Sequence, residues 1–264
     1  MTLPDASPLP LLVRTGPEGL VTLRLNRPAQ FNALSEALLE ALQRALDELA
    51  VDPTVRCVVL EGAGKAFCAG HDLREMRSQP RLAYYQALFA RCGHLMQSIG
   101  ALPVPVIARV HGVATAAGCQ LVASCDLAIA SQSARFAVSG IDVGLFCATP
   151  AVALSRNVSA KRAFDMLTTA RFIDPDTAAD WGLINEAVPD DELDHAVARK
   201  AAEIVRKSPA AIRHGKAMFY RQRQMALGDA YDFAGDVMAR NMMEPDAGEG
   251  IDAFLGKRPA RWSR

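Results

Sequence analysis

Two short stretches of small residues carry the chain's best prospects for chemistry. Gly112 to Ala117 (GVATAA) follows the apolar, largely β-branched run of Val104, Val106, Ile107 and Val110, which reads as a buried strand. From Ala117 the residues become helix formers, with Leu121 and Val122 continuing an apolar face. A strand, a tight turn and a helix start leave backbone N–H groups projecting from the helix N-terminus. Such groups stabilise an oxyanion with no reactive side chain. The second stretch is Ala66–Phe67–Cys68–Ala69–Gly70–His71–Asp72–Leu73, ending in a helix start that Asp72 is placed to cap. His71 adds an imidazole that titrates near neutrality. On spacing alone, the Gly112–Ala117 stretch also reads as a close-packed helix–strand crossover that binds nothing.

The elements that must position these stretches are legible in order. Leu11–Val13 and Leu20–Leu25 alternate and flank Gly16–Pro17–Glu18–Gly19, which predicts a β-hairpin. Ser35 starts a helix carrying Leu38, Leu39, Leu42, Leu46 and Leu49, and Asp52–Pro53 stops it. Cys57–Leu60 reads as a strand buried on both faces. A helix with Tyr84, Leu88 and Leu95 precedes the central strand and helix, and Leu127–Ala130 is a further strand. Phe136–Phe146 reads as irregular. Helices are expected over Pro150–Val158, Ala160–Thr169 and Pro175–Trp181, with an edge strand at Leu183–Val188. From Asp190 to about Met243 the pattern is helical, interrupted at Ser208–Pro209, and Gly248–Leu255 forms a last helix. Alternating strands and helices indicate an α/β fold with an all-α final third. The expected organisation is a tail at residues 1–10, a core at 11–197 and a helical region at 198–264.

Composition narrows the function. The 29 basic and 29 acidic residues cancel, and no basic stripe carries interleaved aromatics, so nucleic acid is not an expected partner. No apolar run reaches the roughly 20 residues a membrane helix needs. Cys57, Cys68, Cys92, Cys119, Cys125 and Cys147 sit singly, mostly within apolar runs, and read as buried free thiols rather than disulfides or metal ligands. The proline-broken N-terminus resembles neither a signal nor a transit peptide, which predicts a cytoplasmic protein.

With both loops in view the chain resembles the crotonase (enoyl-CoA hydratase/isomerase) superfamily. The matching pieces run nearly end to end: VTLRLNRPAQFNALS, GKAFCAGHDLREM, PVPVIARVHGVATAAGCQLVASCDLAIAS, ADWGLINEAVP, SPAAIRHGK and EGIDAFLGKRPARW. The resemblance implies a spiral core of ββα units with a helical C-terminal region that builds a homotrimer or a dimer of trimers. It implies an acyl-CoA thioester as substrate, coenzyme A being part of that substrate, with no metal or redox cofactor. The oxyanion hole falls on the backbone N–H groups of His71 and Ala117. Lys65, Ala66, Phe67, Ala69, His71, Asp72 and Leu73 would line the CoA arm, and Lys257 would meet its phosphates.

Two positions depart from the family pattern. The resemblance places a catalytic glutamate at each of Gln120 and Gly140. An amide cannot take a proton from water near neutrality, and glycine has no side chain at all. Asp142, two residues beyond Gly140, would face the same side in an extended segment and is a candidate acid or base. Hydration, isomerisation through Asp142, decarboxylation and thioester hydrolysis therefore compete. A catalytically weak acyl-CoA-binding protein is the alternative of another class. Arg74 and Glu75 are expected on a solvated or CoA-facing helix surface, and His111 as a structural histidine.

Overall fold

A computed structural model describes residues 9–263, so most of the expected tail lies outside the described residues. The hairpin forms as β1 (Leu11–Thr15) and β2 (Leu20–Leu25), paired antiparallel with Leu11 opposite Leu25. Ser35 caps α1 (Glu36–Val51) by accepting the Leu38 N–H at 3.2 Å. Its leucines at helical spacing bury one stripe of the helix against the core.

The chain then repeats a two-strand unit. β3 (Cys57–Gly62) leads to β4 (Ala66–Cys68), followed by α2 (Leu73–Ser78) and α3 (Leu82–Ala101). β5 (Val106–Val110) leads to β6 (Val113–Thr115) and α4 (Ala117–Ser124). β7 (Leu127–Ser131) leads to β8 (Arg135–Ala137), then α5 (Ala148–Leu154), α6 (Ala160–Thr169) and α7 (Pro175–Asp180). In each unit the first strand joins a six-stranded sheet ordered β1-β2-β3-β5-β7-β9, and the second joins a small parallel sheet, β4-β6-β8. β9 (Glu186–Val188) closes the large sheet as an edge strand parallel to β7. This is the crotonase-like spiral: each turn advances both sheets by one strand, so the loops leaving the small sheet stack side by side.

Both faces of the large sheet are covered over β3, β5 and β7, which is why these strands are buried nearly throughout while β2 alternates. Val58, Leu60, Val106 and Val110 face the main core with α1, α3 and α4. Cys57, Val59, Ile107 and Ile129 face α8 (Leu193–Val205) through Leu193, Ala196 and Val197. The expected division at residues 197/198 thus falls inside a helix that packs on the sheet. α9 (Pro209–Gln222), α10 (Leu227–Met242) and α11 (Pro245–Leu255) complete the helical C-terminal region.

Several sequence expectations are corrected here. The small-residue turn after β5 contains a strand, β6, whose three residues are too few to show a period. The irregular stretch from Phe136 begins in β8 and then forms a 3-10 turn, Ser139–Val143. α5 starts earlier and stops at Leu154 rather than Val158. The strand within Leu183–Val188 is confined to its last three residues. The helical run after Asp190 is broken at Ser208–Pro209 as expected and a second time at residues 223–226, giving three α-helices where two were expected. All six cysteines are free and buried, as expected.

Candidate active site

The site is assembled by the first loop of chain after the hairpin. Asn32 is fully buried and donates its amide to the carbonyls of Ala63 (2.8 Å) and Ala66 (2.7 Å), while its Oδ1 accepts the Arg27 N–H (2.9 Å). Arg27 in turn pairs with Asp72 at 2.9 Å. Leu34 then forms a parallel bridge with His71: its N–H donates to Gly70 O at 2.7 Å and its carbonyl accepts the Asp72 N–H at 3.1 Å. In such a bridge the middle residue's own N–H faces away from its partner. The His71 N–H therefore points away from Leu34.

α4 comes to meet it. Gly118 lies so close to β4 that a Cβ there would be 2.0 Å from the Cys68 carbonyl oxygen. A Cβ on Gly70 would lie 2.9 Å from the Ala116 Cβ and 3.3 Å from the Ala117 nitrogen. The two small-residue loops are therefore in contact. Ala116 holds φ 50°, ψ −121°, a conformation that costs an L-residue about 1–3 kcal/mol and is retained only where surrounding structure demands it. Ala117 is the first residue of α4, and the first N–H groups of a helix have no intrahelical partner. Among the described residues neither the His71 nor the Ala117 N–H has an acceptor. Free N–H groups on two loops in contact, one of them at a helix N-terminus, have the donors needed to hold a developing negative oxygen.

The side chains around this pair are neutral. Gln120, one turn into α4, is 4 % exposed, and its Oε1 is buried without a partner. Both ring nitrogens of His71 are likewise buried and unpartnered, the ring standing edge-on to Phe89 at 5.6 Å between centroids. Burial lowers the His71 pKa from the usual 6.5 to about 4, opposed only by the nearby Leu34 backbone, which lies outside hydrogen-bond geometry. No charged group contributes. The imidazole is neutral at pH 7.

A stability prediction follows from that burial. As pH falls, the unfolded chain binds the His71 proton first, so the folded state loses stability through the window from 6.5 down to 4. The full loss is about 3 kcal/mol at 1.36 kcal/mol per pH unit. Urea unfolding at pH 7 and pH 4 should show that His71→Phe narrows the acid loss by about this amount. An unchanged pH dependence would refute the buried neutral histidine.

The segment that follows β8 closes over Gly140. The Gly140 N–H donates to Cys147 Sγ at 3.3 Å, and a Cβ on Gly140 would lie 2.5 Å from Leu145 O and 2.7 Å from that sulfur. Ser139 pairs with Thr115 through their hydroxyls at 2.8 Å. Burial raises the Cys147 thiol above its usual range, with the Gly140 N–H acting the other way. Asp142 does not share a side with Gly140, as an extended segment would require: it lies in the 3-10 turn, whose three residues per turn send i and i+2 in different directions. It is exposed and makes no hydrogen bond among the described residues.

Other expected contributors are also placed. Asp72 caps α2 through the N–H groups of Arg74 and Glu75. Burial opposes its ionisation, but Arg27 and those N–H groups outweigh this and lower its pKa. Glu75 is not on a free surface: it accepts the Glu36 N–H at 2.8 Å at the start of α1. Phe67 is fully buried in the core, so its side chain cannot line a ligand arm. Lys65 instead borders an open cleft of about 560 Å³ with Arg24, Arg109, His111 and Asp190, at the end of the small sheet opposite the two N–H groups. His111 is hydrogen-bonded, its Nε2 2.8 Å from Gly64 O, as expected of a structural histidine. Lys257 follows α11 with φ 52°. The sequence reading missed Phe89, Asn32 and Cys147 as parts of this site; FNALS, ending one residue before α1, was the available signal for Asn32.

This fold of stacked spiral units defines a member of the enoyl-CoA hydratase/isomerase family, and the family's sequence model matches residues 15–264. The chain belongs to that family. It is 42 % identical over 254 residues to the enoyl-CoA hydratase domain-containing protein 3, mitochondrial, of Xenopus laevis, covering 96 % of this chain and 86 % of that one. Among solved structures, an enoyl-CoA hydratase of Mycobacterium smegmatis superposes with a TM-score of 0.95 at 57 % identity, covering 97 % of this chain and 99 % of its own. Human enoyl-CoA hydratase domain-containing protein 3 superposes with a TM-score of 0.93 at 41 % identity, covering 96 % and 100 %. The frog, rat, mouse, human and zebrafish relatives at 40–42 % identity are all named mitochondrial, which overturns the cytoplasmic expectation drawn from the N-terminal residues.

Proposed function

We propose that the chain binds an acyl-CoA thioester with its carbonyl oxygen between the N–H groups of His71 and Ala117, and that these stabilise the enolate formed in turnover. The observation that carries this reading is the pair of acceptor-free N–H groups on loops held in contact by Gly70 and Gly118. Ala66, Ala69, Asp72, Leu73 and Lys257 are proposed along the CoA arm, with Phe67 contributing backbone alone; Lys65, in the cleft at the other end of the small sheet, is left out of it. Exposed Leu227, Tyr231, Met238 and Phe254 on α10 and α11 support assembly of the helical region into a homotrimer or a dimer of trimers.

The reaction is proposed to need little carboxylate help. Gln120 is an amide and Gly140 is bare, so neither glutamate of the family's hydration mechanism is present, and Asp142 stands outside the site. Each missing acid–base group would contribute about 10²–10⁴-fold, whereas an oxyanion donor alone contributes about 10²–10³-fold. Enolate chemistry driven by the hole is therefore favoured over two-carboxylate hydration.

The test is Ala117→Pro. Proline is accepted at the first position of a helix and removes the N–H, but it also restricts the strained Ala116 before it, so the variant's own thermal melt is recorded first to show that the fold is kept. Turnover of crotonyl-CoA and of other CoA thioesters is measured alongside CoA-dependent protection against heat. A fall of about 10²–10³-fold with protection retained supports the reading. A variant as active as the parent, with the same protection, overturns it.

A further inference from the structure

The open cleft bordered by Lys65 lies away from the thioester loops, and its residues come in order across the large sheet. It follows the carboxyl ends of the parallel strands, where open α/β sheets bind ligands. Arg24 stands on β2 and Lys65 in the turn after β3. Arg109 and His111 come at the end of β5, Ser131 and Ser133 at the end of β7, and Asp190 just beyond β9. Four strand spacings separate β2 from β9, a run of about 19 Å.

The two ends of that run differ in charge. Arg24, Glu61 and Arg109 are register neighbours on β2, β3 and β5, so their side chains share the face that α8 covers. Glu61 is buried and is the common partner of Arg14 at 3.3 Å, Arg24 at 3.4 Å and Arg109 at 3.7 Å. Arg109 also reaches Asp194 at 2.6 Å. Lys65 is exposed and, among the described residues, pairs with no carboxylate. Four cations therefore meet two carboxylates here, an excess of two positive charges. His111 adds nothing to it. Its Nε2 donates to the Gly64 carbonyl at 2.8 Å, which leaves Nδ1 as an acceptor for Arg109 at 3.3 Å.

The other end offers oxygen. Asp190 accepts the Ser133 N–H at 3.0 Å, and the Ser131 and Ser133 hydroxyls pair at 3.0 Å. Hydrogen bonds from Ser133 lower the Asp190 pKa, so the carboxylate is ionised at pH 7. One N–H occupies a fraction of its four lone-pair sites. A second anion would be repelled there, whereas hydroxyl donors would be held. At the basic end, Arg24 and Lys65 come from neighbouring strands and approach an anion from different sides. That suits a tetrahedral dianion better than a planar carboxylate of half its charge. A phosphate monoester carries about −1.5 to −2 near neutrality, on three acceptor oxygens.

We infer that this cleft is a second ligand site, which takes a small sugar-phosphate-like molecule with its phosphate on Arg24 and Lys65 and its hydroxyls toward Ser133 and Asp190. The site is independent of the thioester reading, since none of these residues belongs to the two loops that carry the His71 and Ala117 N–H groups.

The test is calorimetric titration of the full-length chain with glucose 6-phosphate, inorganic phosphate and glucose. Glucose 6-phosphate should bind about 10-fold more tightly than inorganic phosphate, and glucose should give no binding heat. Lys65→Gln alters an exposed side chain and should weaken both phosphate compounds by about 10-fold or more, the range for losing a hydrogen bond to a charged group. Asp190→Asn keeps an acceptor for the Ser133 N–H and should weaken glucose 6-phosphate alone, by about 3- to 10-fold. Excess coenzyme A should leave these affinities unchanged, because the cleft and the thioester loops lie at opposite ends of the small sheet. Equal binding of the two phosphate compounds, or binding of neither, would overturn the inference. So would affinities that ignore Lys65→Gln, or displacement of glucose 6-phosphate by coenzyme A.

Discussion

Lys216→Met is expected to melt about 10 °C below the parent protein. Lys216 lies on α9 with its side chain 7 % exposed, and its three donors are all used: Asp126 Oδ2 at 2.7 Å, Val104 O at 2.9 Å and Ile99 O at 3.0 Å. Asp126 also accepts the Val106 N–H at 2.7 Å and the Tyr220 hydroxyl at 2.8 Å. This cluster joins the C-terminal helices to the start of the central strand. Removing the ammonium strands a carboxylate out of water, a loss of about 3–5 kcal/mol. For a chain of this size each kcal/mol lowers the midpoint by about 2–4 °C. The accompanying Asp126→Asn change should recover part of the loss, because removing both charges leaves nothing uncompensated. Thermal melts of the parent, both single variants and the double variant check this. A drop of less than 2 °C for Lys216→Met would show that the pair does not tie α9 to the sheet.

Gly118→Ala is expected to cost activity more than binding. Its added methyl would sit 2.0 Å from the Cys68 oxygen and 2.7 Å from the Cys68 carbonyl carbon. Both are backbone atoms of β4 and cannot swing aside, so the N-terminus of α4 must retreat. That carries the Ala117 N–H away from the His71 N–H. Overpacking of this kind costs about 1–3 kcal/mol of stability. A misplacement near 1 Å in the site costs about 10²-fold in turnover. Steady-state kinetics should show kcat falling with KM nearly constant, since the CoA arm is held elsewhere. Equal losses in both, or none, would mean that α4 does not set the distance between the two groups.

The elements that were legible in the sequence are those with a long period or a strong cap. α1 announced itself through Ser35 and its leucine stripe, α2 through Asp72, and the edge strand through its place before Pro189. The small sheet was not legible because its strands are three residues long, and three residues carry neither a period of two nor one of 3.6. The site divided along the same line. The residues bearing the two N–H groups stood in recognisable small-residue loops. What brings the loops together did not, because the buried Asn32 amide and the Leu34–His71 bridge are long-range contacts with no local spacing. Asp142 went wrong for a local reason. An extended backbone and a 3-10 turn place residue i+2 on different sides, and the surrounding residues do not distinguish them. Localisation failed because composition near a terminus speaks only for the residues present.

The closure of residues 139–147 over Gly140 bears on the history of this lineage. A side chain at position 140 meets the Leu145 carbonyl oxygen at 2.5 Å and the Cys147 sulfur at 2.7 Å before it has extended beyond its first carbon. Backbone now fills the space that a carboxylate there would need. A single codon change to glutamate would therefore yield a misfolded loop rather than a restored acid. The turn would have to be rebuilt first, through changes that bring no catalytic benefit while glycine remains. A carboxylate at position 140 is therefore a change of loop as well as of residue. At Gln120, by contrast, the chain already accommodates a side chain as long as glutamate, so a carboxylate there needs no new loop.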